Sequence, residues 1–405
     1  MRLLMLTPSL PYPLHQGGAI RNYGLLHGLH QAGHKVTLIS FHHDNPPVDT
    51  TPLVDLCERI ETVPFPTRST VRRLRDLFFS ALPDLAHRLR SEPFSQRLCA
   101  VLDETEFDLV QFEGLEMARF LPIVRQYQPL ARLCYDAHNA EYALQQVISE
   151  VDQNTPKRLH LALYSKIQAR RIAHFEHITC QRADMVIAVS GEDAAALRPF
   201  RPDGCVHVVP NGIFAADYEA SSEQLDLGSN IITFTGKMDY RPNVDAMLWF
   251  SSAILPRIQR EIPDAHLYIV GQKPHARLEA LRDNPNIALT GWVPEVRPFL
   301  HATDVYIAPL RMGSGTRLKI LEAMATGRAV VATPVAAAGL AQEAEQTMVI
   351  AESETDIATA VVRLLRDPEQ RGKIGEAARC YVQQHYDWSK LTPRLLAAYK
   401  EIGLE

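Results

Sequence analysis

Runs of four to seven β-branched and aliphatic residues recur along the chain. Each is followed by a longer stretch whose apolar residues return at helical spacing. "LLMLTP" (Leu3–Pro8) reads as a strand and is followed by a Gly17–Gly18 loop. A helix follows with Leu25, Leu26, Leu29 and Ala32 on one side, ended by Gly33, and then the strand "KVTLISF" (Lys35–Phe41). The same order restarts at "NIITFTG" (Asn230–Gly236), with a helix near Val244–Gln259 and the strand "HLYIVG" (His266–Gly271). Strand–helix alternation of this kind folds into parallel sheets, because the helices serve as crossovers. Two such openings, one per half, predict two Rossmann-like, doubly wound domains in tandem.

Further strands are expected at Leu109–Phe112, Arg132–Ala137, Met185–Ser190 and Val206–Pro210 in the first half. In the second they fall at Ile287–Gly291, Val305–Leu310, Ala329–Thr333 and Met348–Ala351. The polar stretch Asn211–Asn230 lacks periodicity and reads as the linker. At 405 residues the chain has room for both domains, and a net charge of −5 gives no global attraction to nucleic acid. Six scattered cysteines without a C-x-x-C pair read as reduced thiols in a cytoplasmic protein. No apolar run is long enough to span a bilayer, and the stretch before Pro8 is too short for a signal-peptide core.

The chemistry concentrates in "RMGSGTRLKILEAMATGRAVVATP" (Arg311–Pro334). Gly313, Ser314 and Gly315 enter a helix expected over 316–326, with Thr316 as its N-cap. Arg317 and Lys319 then stand in the first turn, where each cation costs roughly 0.3–1 kcal/mol against the helix dipole. A phosphate held by the freed backbone N–H groups would reverse that sign, while cations snorkelling from a solvated helix would merely tolerate it. Glu322, one turn beyond Lys319, is either a carboxylate on the helix edge or a partner for a ribose beside that phosphate. Phosphate and ribose together would mean a nucleotide.

The stretch "VYIAPLRMGSGTRLKILEAMATGRAVVAT" resembles the donor-site region of glycosyltransferase family 4, retaining enzymes of the GT-B fold. "PYPLHQGGAIRNYGLLHGLHQAGHKVTLI", "RADMVIAVS", "VVPNG" and the closing "YDWSKLTPRLLAAYKEI" match other parts of that family in order. The resemblance implies two Rossmann-like domains facing across a cleft. Residues 1–212 would bind the acceptor, 229–384 the nucleotide-sugar donor, and a helix within 385–405 would pack back on the first domain. In the family two glutamates seven residues apart contact sugar and ribose. Glu322 matches the second, and Ser314 stands where the first is expected.

The resemblance further implies donor-binding roles for Gly18, Lys237, Arg241, Val293, Ser314, Gly315, Thr316, Arg317, Lys319 and Glu322. Lys237 takes the place of the family's arginine. Pro242 occupies the place of its lysine, leaving Arg241 as the nearest substitute. His138, in "YDAHNAEY", matches the active-site histidine, with Asp136 or Glu141 as its orienting carboxylate. Lys237 and Lys319 would share catalysis by stabilising the leaving diphosphate. Gly17 and Arg21 would face the acceptor, although Arg21 reads equally as a solvated charge, and Glu295 follows Val293 near the nucleobase.

The implied activity is a metal-independent, hexosyltransferase-type transfer from a nucleotide-sugar to a glycan or lipid-linked acceptor, in polysaccharide or glycoconjugate biosynthesis. No cofactor is expected, and no D-x-D occurs in the chain. A nucleotide-sugar epimerase, a phosphorylase of the same fold, or a non-catalytic nucleotide- or glycan-binding protein are the alternatives. One segment stands apart. Pro66–Arg90 holds six arginines against two aspartates, interleaved with Leu74, Leu77, Phe78, Phe79 and Leu82. It reads either as a basic helix for anionic lipid at the inner face of the membrane or as a helix packing its apolar side on the first domain.

Overall fold

The computed structural model describes residues 1–14, 16–43, 48–146, 159–219, 225–313, 316–340 and 346–404. It divides into two compact units, Met1–Pro210 with Leu391–Glu405, and Asn211–Lys390.

The first unit holds β1 (Arg2–Thr7), β2 (Lys35–His42), β3 (Arg59–Pro64), β4 (Leu109–Glu113), β5 (Arg132–Ala137), β6 (Met185–Ala188) and β7 (Val206–Val208). Their order is β3-β2-β1-β4-β5-β6-β7, and every pairing is parallel. The second unit holds β8 (Ile231–Thr235), β9 (His266–Val270), β10 (Ile287–Gly291), β11 (Val305–Ala308), β12 (Ala329–Ala332) and β13 (Val349–Ile350). Its order β10-β9-β8-β11-β12-β13 repeats the same winding. In both, the order reverses beside the first strand, and such switch points at the carboxyl ends of strands are where doubly wound sheets bind ligands.

Central strands are buried along their whole length, as in β4 and β8, because helices cover both faces. That is why they appear in the sequence as continuous apolar runs without alternation. β3 breaks the pattern and escaped the sequence reading. It is an edge strand whose Arg59 pairs with Glu61 and Glu104, so its polar side chains hide it.

The helix expected near Val244–Gln259 is three pieces. Arg241–Trp249 is α-helical, Phe250–Ile254 is a π-turn, and Leu255–Glu261 is α-helical again. Pro256 has no N–H to give the preceding turn, and the extra residue of the π-turn absorbs the gap. The expected linker is also partly structured. Ile213 bridges to Asp387, Ala215–Tyr218 forms a 3-10 turn, and both belong to the second unit. The helix Trp388–Glu401 carries the chain back to the first unit at Leu391. There Leu391, Leu395, Ala398 and Tyr399 are buried, and Gly28 leaves just enough room for Thr392.

Candidate functional site

In the second unit the residues of interest meet at the carboxyl ends of β8 to β10. The backbone steps from Gly236 to Gly271 to Gly291, with Gly236 N–H donating to Val270 O and Gly271 N–H to Gly291 O. A β-carbon on Gly271 would lie 1.7 Å from Gly236 O, so only glycine permits the approach. Gly236 has φ +151°, and a β-carbon there would lie 2.6 Å from Lys319 Nζ. The glycine therefore leaves the lysine its place.

Lys319 lies in the second position of the helix Leu318–Ala325. Its ammonium donates to Asn243 Oδ1 at 2.8 Å and stands 4.1 Å from the centre of the Phe234 ring. Desolvation lowers its pKa to about 7, Arg317 pushes the same way, and Glu322 opposes both. Asn243 was missed in the sequence. It is buried, and its amide also holds the carbonyl of Lys237 at 2.8 Å, tying that loop to Lys319. The Lys237 side chain is exposed, 3.7 Å from Asp239, and Arg241 begins the next helix with its side chain also exposed.

Glu322, half-buried on the same helix, accepts a hydrogen bond from Tyr218 Oη at 2.9 Å. Burial raises its pKa, and Tyr218 and Lys319 counteract the rise. Tyr218 lies in the aperiodic stretch Asn211–Asn230, where no pattern marks it. Val293 follows β10 and is half-buried, while Glu295 is paired with Arg297.

Thr316 is not the N-cap. Its hydroxyl donates to Gly339 O at 3.2 Å, the helix begins two residues late, and Arg317 takes the cap position without a side-chain cap. The Arg317 guanidinium folds against Gly313, where a β-carbon would lie 2.5 Å from Nη2. Ser314 and Gly315 lie outside the described residues.

In the first unit, Gly17 and Gly18 do not form a loop but open the helix Gly17–Gln31. Arg21 is the clearest correction. It is 1% exposed and pairs with both oxygens of Asp136, at 2.7 and 3.0 Å, while donating to Val209 O and Pro210 O. A guanidinium so placed ties the helix to β5 and the end of the sheet, and is not the solvated charge the sequence allowed.

Neither Asp136 nor Glu141 orients His138, because Arg21 holds the first and Asn139 donates to the second. The partner is Glu113, at the end of β4 and in register with Asp136. Its Oε2 accepts from His138 Nε2 at 3.0 Å. Burial pulls the imidazolium pKa down, but Glu113 and Asp136 outweigh burial and Arg21, and it stands above the usual histidine value. A charged residue closing a fully buried strand was the available signal for Glu113.

Glu113, Asp136 and His138 lie close enough to suggest a metal centre. Their oxygens are already engaged by Arg21, Gln111 and His138, and the Arg21 cation within the group opposes a second cation. The donor set fits an internal network better than an ion.

Two family models match the chain. "Glycosyltransferase Family 4" covers residues 16–216 and "Glycosyl transferases group 1" covers 229–367. A phosphatidyl-myo-inositol mannosyltransferase of Propionibacterium freudenreichii is 29% identical over 231 residues, 55% of this chain and 57% of that protein. The chain spans about half the length of the curated relatives it matches. Among solved structures, sucrose-phosphate synthase of Thermosynechococcus elongatus superposes with TM-score 0.74 at 18% identity, covering 99% of each chain. Anabaena HepE, solved in complex with UDP-glucose, superposes with TM-score 0.64 at 13% identity, over 99% of this chain and 100% of that one.

Proposed function

The chain belongs to glycosyltransferase family 4, with the GT-B fold, and from that membership we propose that it transfers a sugar from a nucleotide-sugar to a glycan or lipid-linked acceptor, with retention. The second unit binds the donor. Lys319 meets the diphosphate, Glu322 accepts from the ribose hydroxyls, and the backbone near Val293 meets the base. Lys237 and Arg241 add positive charge from the loop after β8. The observation that carries this reading is Lys319 itself, a desolvated ammonium at a helix N-terminus and at the switch point of a doubly wound sheet.

Bond cleavage leaves negative charge on the diphosphate. Lys319, Lys237 and the helix N-terminus stabilise that charge most when it is fully developed, which favours the transition state over the bound donor. The incoming hydroxyl attacks from the face the diphosphate leaves, and the departing phosphate oxygen takes its proton. Cationic side chains supply the neutralisation, so the reaction proceeds without a metal. Release of nucleoside diphosphate from a panel of nucleotide-sugars, with and without lipid-linked acceptors and with a chelator, tests the proposal. Acceptor-dependent release indifferent to chelation supports it. Turnover without acceptor would favour an epimerase, a phosphate requirement a phosphorylase, and binding alone a non-catalytic protein.

A lipid-borne acceptor accords with the helix Thr70–Phe79. Val71, Leu74, Phe78 and Phe79 are exposed, at 77, 54, 74 and 86%, beside exposed Arg72, Arg73 and Arg75. Arg68, by contrast, is bound between Asp76 and Asp84. We propose that this helix lies on anionic lipid, its apolar residues in the acyl boundary and its arginines at the headgroups. None of the described helices is long and apolar enough to cross a membrane.

A further inference from the structure

Gln111 and Glu113 are two residues apart on β4, so their side chains leave the same face of a strand buried on both sides. Two polar side chains with no exposure are costly in such a place unless each atom has a partner. Each does. Gln111 Nε2 donates to Glu113 Oε1 at 2.6 Å, which fixes the amide so that its oxygen faces away. That oxygen accepts from Tyr399 Oη, contributed by the helix Trp388–Glu401. The other oxygen of Glu113 receives His138 Nε2–H. The hydrogen bonds run in one direction, from the C-terminal helix through the strand to the carboxylate, and the imidazole closes the row.

We propose that Glu113 is the positioning residue for His138, and that Gln111 and Tyr399 hold Glu113 for that task. The carboxylate keeps the proton on Nε2 and leaves Nδ1 as the nitrogen for a ligand. Nδ1 points where the helix Gly17–Gln31 begins, 3.9 Å from where a Gly18 β-carbon would sit. The charged groups facing the ring are Glu113 from β4, Asp136 from β5, Arg21 from that helix, which neutralises Asp136, and Glu141, which accepts from Asn139. Glu113 therefore remains as the carboxylate hydrogen-bonded to the imidazole; burial and Asp136 raise its pKa, and His138 and Arg21 counteract the rise. What Nδ1 serves, a hydroxyl of the sugar or of the acceptor, rests on the glycosyl-transfer reading, but the tautomer does not.

Nitrogen-15 NMR of the histidine side chains, with His138 assigned by its loss in His138→Gln, tests the arrangement. The wild type should show the Nε2–H tautomer and a titration midpoint above that of a free histidine. Glu113→Gln should lower the midpoint by roughly 1–3 units, the effect of removing an adjacent opposite charge. Glu113→Asp, which keeps the charge, should lie between. In transfer assays Glu113→Gln should reduce kcat and leave the donor KM in place. An Nδ1–H tautomer in the wild type overturns the proposal, and so does an unchanged midpoint in Glu113→Gln. The wild-type spectrum stands even if a variant fails to fold. A protein with the expected tautomer and no transferase activity would sink the glycosyl-transfer reading and leave the relay intact.

Discussion

Lys319 is neutral more easily than any ordinary lysine, and that has a measurable sign. Its pKa falls from 10.5 in the unfolded chain to about 7 in the folded one. Between those values the unfolded state holds a proton that the folded state lacks, so the empty protein gains stability as pH rises through that window. Below it both states are charged and the contribution is a constant penalty. Lys319→Met should abolish that slope in denaturant titrations across the window, without destabilising the fold. Arg21 behaves in the opposite way. Removing it in Arg21→Met strands Asp136 in the core, and the unfolding free energy should fall by about 3–5 kcal/mol. A loss near zero would show that the pair is not the brace described here. Glu322→Gln keeps an acceptor for Tyr218 and removes only the charge, so nucleoside diphosphate affinity should weaken by about 1–3 kcal/mol with the fold intact.

At the scale of elements, the C-terminal helix comes close to the Gly17–Gln31 helix where Thr392 meets Gly28. A β-carbon at Gly28 would lie 2.2 Å from Thr392 Oγ1 and 2.9 Å from Cγ2. Gly28→Ala should cost about 1–3 kcal/mol from overpacking. Thr392→Ala in the same chain should recover most of it, a coupling that a double-mutant cycle in urea reads directly. Most strands were legible because they are central and covered on both faces, as with Arg132–Ala137 and Val305–Ala308. β3 was not, because an edge strand carries its ion pairs outward. The helix after the glycine-rich loop was legible as an element but not in its cap, since Thr316 is drawn to Gly339, distant in sequence. Lys319 and Glu322 could be singled out from spacing alone. Asn243 and Tyr218 could not, because each owes its place to strands and loops that meet only in the folded units, and Glu113 left only the signal of a charge closing a buried strand.

For the whole molecule, the proposed transfer gives the two units separate duties, and each can be tested by itself. Flotation with anionic vesicles should carry the wild type up and leave the triple variant with Arg72, Arg73 and Arg75 changed to glutamate behind. Equal flotation would remove the helix Thr70–Phe79 from the account. The central claim is that the second unit holds a nucleoside diphosphate against Lys319. An anion at that ammonium must restore its charge, so binding above its empty-state pKa has to draw a proton from solution. Calorimetric titration with uridine, guanosine and adenosine diphosphates at about pH 8, repeated in two buffers of different ionisation enthalpy, measures affinity and proton uptake together. At least one nucleotide should bind with uptake of a fraction of a proton, and Lys319→Met should lose that uptake along with much of the affinity. Binding by Lys319→Met equal to that of the wild type, with the same proton count, would contradict it.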